Sequence, residues 1–325
     1  MIDPLERWRA LGLPDKPDYA GLLTFAGLPY TQDPAELAGV DAAVIGAPTD
    51  DLVSDRPGTR FGPRAIRAAS CPPGPHLEAQ VDAFAELRVV DFGDAAVVPA
   101  NPDRTHEQIE LTVSEVVAAG AIPVVLGGDH SITEANVRAV AARHRPLGLV
   151  HFDTHTDTGT EVFGVERSHG TPMYRLVRDG HVAPSRYVQI GLRGYWPGEA
   201  EFAWQRAQGI TAFPMHDVRD RGIREVVERA VAAVGDGPVF LTVDVDVLDP
   251  SMAPGTGTPE PGGMTSVDLL WACREVARRL EVVGLDVVEV LPTAVGSADV
   301  TALVAERVVR EALTGIALRR PAAAR

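Results

Sequence analysis

Lysine is almost missing from this chain of 325 residues: Lys16 is the only one, and arginine carries the rest of the basic charge. Lys and Arg together number 30 against 45 Asp and Glu, a formal charge of −15 at neutral pH. With no clustered arginine patch, that balance excludes a surface built for nucleic acid or for an anionic membrane. It is compatible with a small cationic substrate. Cysteine is also scarce. Cys71 and Cys273 lie far apart and match no zinc or redox spacing, which excludes a disulfide scaffold and predicts a reducing, cytoplasmic setting. Long apolar runs are absent too. None approaches the ~20 residues of a membrane span, and Met1-Ile-Asp-Pro-Leu-Glu-Arg lacks the basic start and apolar core of a signal peptide.

What remains, 45% apolar and 23% charged residues, is the composition of a globular protein. Residues 1–38, with prolines at 4, 14, 17, 29 and 34, read as an N-terminal extension of helix and loops laid on a surface or a neighbouring subunit. Strand-like runs follow at Ala42–Gly46, Arg88–Phe92, Ile122–Leu126, Leu147–Phe152, Tyr187–Leu192, Thr211–Phe213, Val239–Val243 and Val282–Val288. Helical stretches separate many of them: Arg64–Ala69, Asp103–Ala119, Gly222–Val234, Ser266–Leu280 and a last one over Val300–Leu313. Residues 316–325 read as a tail. Strands alternating with helices imply parallel pairing with right-handed crossovers. Val124-Val-Leu, Gly148-Leu-Val and Phe240-Leu-Thr-Val are apolar without alternation, as buried parallel strands are. The expectation is one α/β domain over 1–325, a central mostly parallel sheet of about eight strands; a closed barrel has similar periodicity. A long Gly/Pro/Asp loop over 47–63 is marked as functional by its length.

Four strand ends carry acids or imidazoles. Gly127-Gly-Asp-His130 follows the third, Asp153-x-His155-x-Asp157 the fourth, Asp244-x-Asp246 the seventh, and Glu289 the eighth. In an open parallel sheet, ligands bind beyond the carboxyl ends of the strands. Alternate residues of an extended segment point the same way, so Asp153, His155 and Asp157 converge. Unpaired charge is costly to bury, and a metal would supply the partner. The six groups His130, Asp153, His155, Asp157, Asp244 and Asp246 are too many for one tetrahedral zinc and suit two metals sharing carboxylates. Two imidazoles with four carboxylates favour Mn²⁺ or another hard-to-borderline ion. Two dications against four aspartates leave no surplus positive charge, so such a centre attracts a cation and repels phosphate. Asp129 and Asp249 are expected to orient the ligands or shape turns. Ser131 and Glu134 read as a capping box. His151 reads as a core histidine; His76, His106, His144, His181 and His216 read as surface residues.

Gly127-Gly-Asp-His-Ser131, Phe152-Asp-Thr-His-Thr-Asp157, Ser168-His-Gly-Thr-Pro172 and Val243-Asp-Val-Asp-Val-Leu-Asp-Pro250 resemble the signature blocks of the ureohydrolases, the arginase and agmatinase family. Arg56–Pro63, Pro254–Pro259 and Asp286–Val290 extend the likeness, in family order, over about residues 40 to 315. The resemblance implies a three-layer α/β/α sandwich, two Mn²⁺ per subunit and a homo-trimer or homo-hexamer. By matching positions, His130, Asp153, Asp157 and Asp244 would hold one metal; Asp153, His155, Asp244 and Asp246 would hold the other. It also implies that Glu289 receives the guanidinium, that Asp157 relays a proton to the departing amine, and that His169 shuttles protons. Urea and a primary amine would be the products.

Arginases carry an acid directly after Gly-Leu-Arg; here Gly194 stands there, in Gly191-Leu-Arg-Gly-Tyr-Trp196, which argues against L-arginine. Agmatine hydrolysis to putrescine is the leading expectation, with 4-guanidinobutyrate or a proclavaminate-like guanidino acid as the alternative. Arg167 and Arg193 are candidates to read a carboxylate tail, and Glu161, Glu166 and Glu260 to read an amine. Asp51 and Arg56 join them if the 50–60 loop covers the site. The stretch 291–299 lacks the Tyr-Asp pair of many agmatinases, and Thr154 stands where alanine is usual. Readings of another class are a zinc deacetylase, a two-metal phosphatase and a non-catalytic metal-binding paralogue.

Overall fold

A computed structural model describes residues 1–13, 16–195, 198–292 and 299–320. Its centre is one sheet of eight strands: β1 (Ala42–Ala47), β2 (Val89–Asp94), β3 (Ile122–Gly127), β4 (Leu147–Phe152), β5 (Val182–Ile190), β6 (Thr211–Phe213), β7 (Pro238–Asp244) and β8 (Glu281–Val288). The order across the sheet is β2-β1-β3-β8-β7-β4-β5-β6. Every pairing is parallel, so "mostly parallel" becomes wholly parallel, and the two free edges rule out the barrel.

Side chains of each strand alternate between two apolar layers, as a period of two demands. Val124 and Leu126 of β3 face one cluster and Val125 the other; Val150 and Phe152 of β4 oppose Leu147 and Leu149. The first cluster is closed by the helices Gly62–Ala69, Ile223–Val234, Ser266–Arg279 and Val300–Arg319. The second is closed by Pro102–Ala118, Ile132–Ala141 and Pro172–Arg178. Both faces of the sheet are therefore covered. That is why the central strands need no polar alternation.

Several local expectations change. The last helix runs on to Arg319, so residues 316–319, read as tail, are helical; 321–325 lie outside the described residues. Ile316 and Ala317 pack into the core, which carries the helix past its expected end. Ser131 does not cap the helix that follows: it already has helical dihedrals, its hydroxyl is given to Asp129, and Glu134 turns to Arg167 and Arg175. The N-terminal extension lies on the sheet edge, where Tyr30 bridges both Ile2 and Asp91 of β2. Asp91 is buried and accepts from Phe25 N at 2.7 Å and from the buried Arg67 at 2.8 and 3.0 Å. That bidentate pair locks the extension, β2 and the helix Gly62–Ala69 together.

Candidate metal centre and adjoining cavity

The sheet order brings the four chemistry-bearing strand ends side by side. β3, β8, β7 and β4 are consecutive across its middle, and His130, Glu289, Asp244 with Asp246, and Asp153 with His155 and Asp157 leave from their carboxyl ends.

All six expected ligands meet there. His130 Nδ1 lies 3.0 Å from Asp153 Oδ2, 2.9 Å from Asp157 Oδ2 and 3.2 Å from Asp244 Oδ2. His155 Nδ1 lies 3.0 Å from Asp246 Oδ2 and 3.5 Å from Asp153 Oδ1. Yet His130 Nδ1 and Asp246 Oδ2 are buried without a hydrogen bond of proper geometry. One nitrogen cannot serve three carboxylates. Donor atoms that converge on a point without bonding to one another fit a bound cation. Charge says the same. Burial first, then Asp246 and Asp153, pushes the Asp244 carboxyl well above the usual range. Burial and Asp153 raise Asp246 to about 6. The cluster is short of positive charge, which two divalent ions would supply.

Around these donors stands a shell that the sequence reading mostly missed. His151 is fully buried, but it is more than a core histidine: Nε2 donates to Asp153 Oδ2 at 2.7 Å, and Nδ1 accepts from the Tyr187 hydroxyl at 3.0 Å. Thr242 Oγ1 meets His130 Nε2 at 3.0 Å. The buried Asp286, one pairing step away on β8, accepts from Thr133 and Asn136 at 2.8 Å each. A signal existed for both acids and imidazoles here, since a charged or polar residue inside an apolar strand needs a partner. His151 also shares its parity with Asp153.

Glu289 and Asp157 adopt left-handed backbone, with φ of 61° and 51°. Non-glycine residues rarely do so, and they do it here at one residue of the cavity wall, Asp157, and one buried beside His130 and His169, Glu289. Glu289 is buried; Oε1 accepts from His130 N and from His169 Nδ1, each at 2.9 Å, while Oε2 has no partner among the described residues. The other ring nitrogen of His169 accepts from Ser54 N at 3.0 Å. Burial disfavours charge on that ring, but Glu289, then Asp157 and Asp129, outweigh it and raise the pKa to about 9.

The loop between β1 and the helix Gly62–Ala69 does cover the site. Leu52 N donates to Asp129 Oδ2 at 3.3 Å, and Leu52 O accepts from His169 N at 3.2 Å. The loop can approach because residue 128 is glycine: a Cβ there would come within 2.3 Å of Thr49 O. Asp129 is buried as expected of an orienting residue, with burial and Glu289 raising it to about 6. His106, expected at the surface, is buried behind it: its Nε2 meets Ser131 Oγ at 3.0 Å, and that hydroxyl donates to Asp129. It sits on the buried face of the helix Pro102–Ala118, packed toward Ser131. His216 is exposed; His76, His144 and His181 are half-buried, and His76 pairs with Glu311 and Arg274. Asp249 shapes a turn, accepting from Ser251 and Gly262.

A cavity of about 480 Å³ opens beside the cluster, walled in part by His155, Asp157, His169, Asp244 and Ser54. Glu161 also lines it, and so do Asp55 and Glu201, which were not among the expected tail readers. Arg167 and Arg193 do not. Arg167 is committed to Asp103 and Glu134. Arg193 gives its hydrogen bonds to the carbonyls of Asp246, Val247, Leu248 and Glu260. Asp51 is held by Arg60 and Ala100 N, and Arg56 extends into solvent beside Asp55. Glu166 is exposed near Arg175. Gly194, where arginases carry an acid, has φ 85° and the Glu260 side chain 3.0 Å from where its Cβ would stand. The departure in 291–299 falls largely on residues 293–298, outside the described residues.

Residues 40–315 match the arginase family. A guanidinobutyrase from Pseudomonas aeruginosa is 39% identical over 283 residues, 87% of this chain and 88% of the relative. A mitochondrial agmatinase from Gallus gallus is 42% identical over 257 residues, 78% and 75% of the two chains. Among solved structures, proclavaminate amidino hydrolase from Streptomyces clavuligerus superposes with a TM-score of 0.88 at 36% identity, covering 94% of this chain and 100% of its own.

Proposed function

The chain belongs to the arginase family of hydrolases, and we propose that its substrate is a guanidino compound with a cationic tail, agmatine first, cleaved to urea and putrescine. The observation that carries this is the wall of the cavity. It presents Asp55, Asp157, Glu161, Glu201 and Asp244 and, among the described residues, no arginine or lysine. An anionic tail would enter a field of its own sign. The likeness to a guanidinobutyrase favours 4-guanidinobutyrate as the second reading.

His130, Asp153, Asp157 and Asp244 would hold one divalent ion; Asp153, His155, Asp244 and Asp246 would hold the other. Manganese suits these oxygen-rich donors. Such a pair supplies a water that ionises near neutral pH. The chain's own groups do the rest. The free Oε2 of Glu289 accepts an N–H of the planar guanidinium and holds the carbon in place. Asp157, on the cavity wall, takes a proton and passes it to the leaving amine. His169, on the same wall and 2.9 Å from Glu289, exchanges protons with the cavity. Ser54 and Asp55 of the 47–61 loop line the same cavity, with Ser54 N against His169.

Urea release by manganese-loaded protein from agmatine, 4-guanidinobutyrate, 3-guanidinopropionate and arginine tests the reading. Agmatine should have the highest kcat/KM; no urea from any of them would overturn it. The proposal includes a homo-trimer or homo-hexamer in a cytoplasmic setting, to be checked by light scattering and by fractionation of cells.

A further inference from the structure

We propose that Glu201 reads the tail of the substrate, pairing its carboxylate with a primary ammonium group. The inference rests on the guanidino-hydrolase reading and adds the residue that sets the choice among guanidines.

Glu201 lines the same cavity as Asp157, Asp244 and His169. It is the third residue of the helix Glu199–Gln208, so its backbone is held in regular structure and the positive end of the helix favours its charge. Its one polar contact among the described residues is Oε2 accepting from Thr156 Oγ1 at 3.5 Å, and Thr156 lies between His155 and Asp157. No cation pairs with it among the described residues, whereas its neighbour Glu199 is taken by Arg206 at 2.7 Å. Half-buried beside the negative Asp157, the carboxylate is raised in pKa first by burial and then by that charge. An ammonium group would relieve both.

The other acids of the wall fit the role less well. Asp157 and Asp244 belong to the metal cluster. Asp55 is exposed and lies 3.7 Å from Arg56. Glu161 is exposed on a loop, where a single charge pair is screened and worth little. Among the described residues of the wall, Glu201 alone combines partial burial, a rigid base and no cationic partner.

The test compares agmatine, 4-guanidinobutyrate and butylguanidine, whose tail is uncharged, on manganese-loaded wild type, Glu201→Gln, Glu201→Asp and Glu201→Arg. Metal content and thermal midpoint establish that each variant is folded. For Glu201→Gln, KM for agmatine should rise roughly ten- to hundredfold, the scale of a charge-assisted hydrogen bond. Its kcat, and both constants for butylguanidine, should stay near wild type. Glu201→Asp should keep part of the agmatine affinity, and Glu201→Arg should turn the preference toward 4-guanidinobutyrate. An unchanged agmatine KM in Glu201→Gln, an equal loss on agmatine and butylguanidine, or a wild type that prefers 4-guanidinobutyrate overturns the assignment. A wild type that releases urea from none of the three overturns the underlying reading instead.

Discussion

His151 stands inside β4 with no solvent exposure and holds Oδ2 of Asp153, two residues on, at 2.7 Å from its Nε2. Tyr187 on β5 fixes the other ring nitrogen, so the tautomer and the aim of the carboxylate are set together. Partners of this kind typically tune metal affinity by ~10–100-fold. His151→Phe should fold and lose that much affinity for Mn²⁺, measured by titration calorimetry of stripped protein. Wild-type affinity in the variant would reduce His151 to a packing residue.

Glu289→Gln should separate binding of metal from binding of guanidinium. The Glu289 carboxylate touches His130 N and His169, not the converging donor atoms. Metal content by elemental analysis should match wild type. Loss of the charged acceptor for a guanidinium should lower kcat/KM by ~10²-fold or more. Loss of metal together with activity would mean that Glu289 supports the centre instead.

Stability should fall in mild acid because of His106. Burial first, then Arg167, lowers its pKa to about 4. Nδ1 has no partner among the described residues, so protonation finds no acceptor there. The unfolded chain, with an ordinary value near 6.5, binds a proton that the folded chain refuses. Stability is therefore fully present above about pH 6.5 and declines as pH falls toward 4, by on the order of 3 kcal/mol in total. Urea unfolding at pH 7 and pH 5 should show this, and His106→Gln should flatten the difference even if it costs stability at both. An equal slope in the variant would assign the acid sensitivity elsewhere.

Arg67→Met should be the most damaging change outside the site. It strands Asp91, buried at 1% exposure, whose partners otherwise are backbone amides. Removing one member of such a pair costs ~3–5 kcal/mol. The thermal midpoint should drop by several degrees or more, and Arg67→Met with Asp91→Leu should recover part of it. No recovery would show that Arg67 acts through Asp94 or Gly93 instead.

How much of this could be read from the chain depends on range. Period and position along one strand are local properties, so β4 and the convergence of Asp153, His155 and Asp157 follow from side chains alternating across a pleat. So do the apolar runs of β3 and β7. The repeated delivery of acids to strand ends identifies the edge of the sheet that matters.

Strand order is not local. Nothing in the spacing says that β8 inserts between β3 and β7, which is what sets Glu289 beside His130. Nor does it say that a helix beginning at Glu199 turns Glu201 into the cavity, or that the helix Pro102–Ala118 packs its His106 face inward against Ser131. Those outcomes belong to packing, where the burial of whole faces decides which neighbours meet. The sequence by itself determined which acids and imidazoles stand at the strand ends and the layered α/β class. Only the tertiary structure decided which acids are satisfied, which histidine aims Asp153, and which carboxylate faces the cavity with no cation beside it among the described residues.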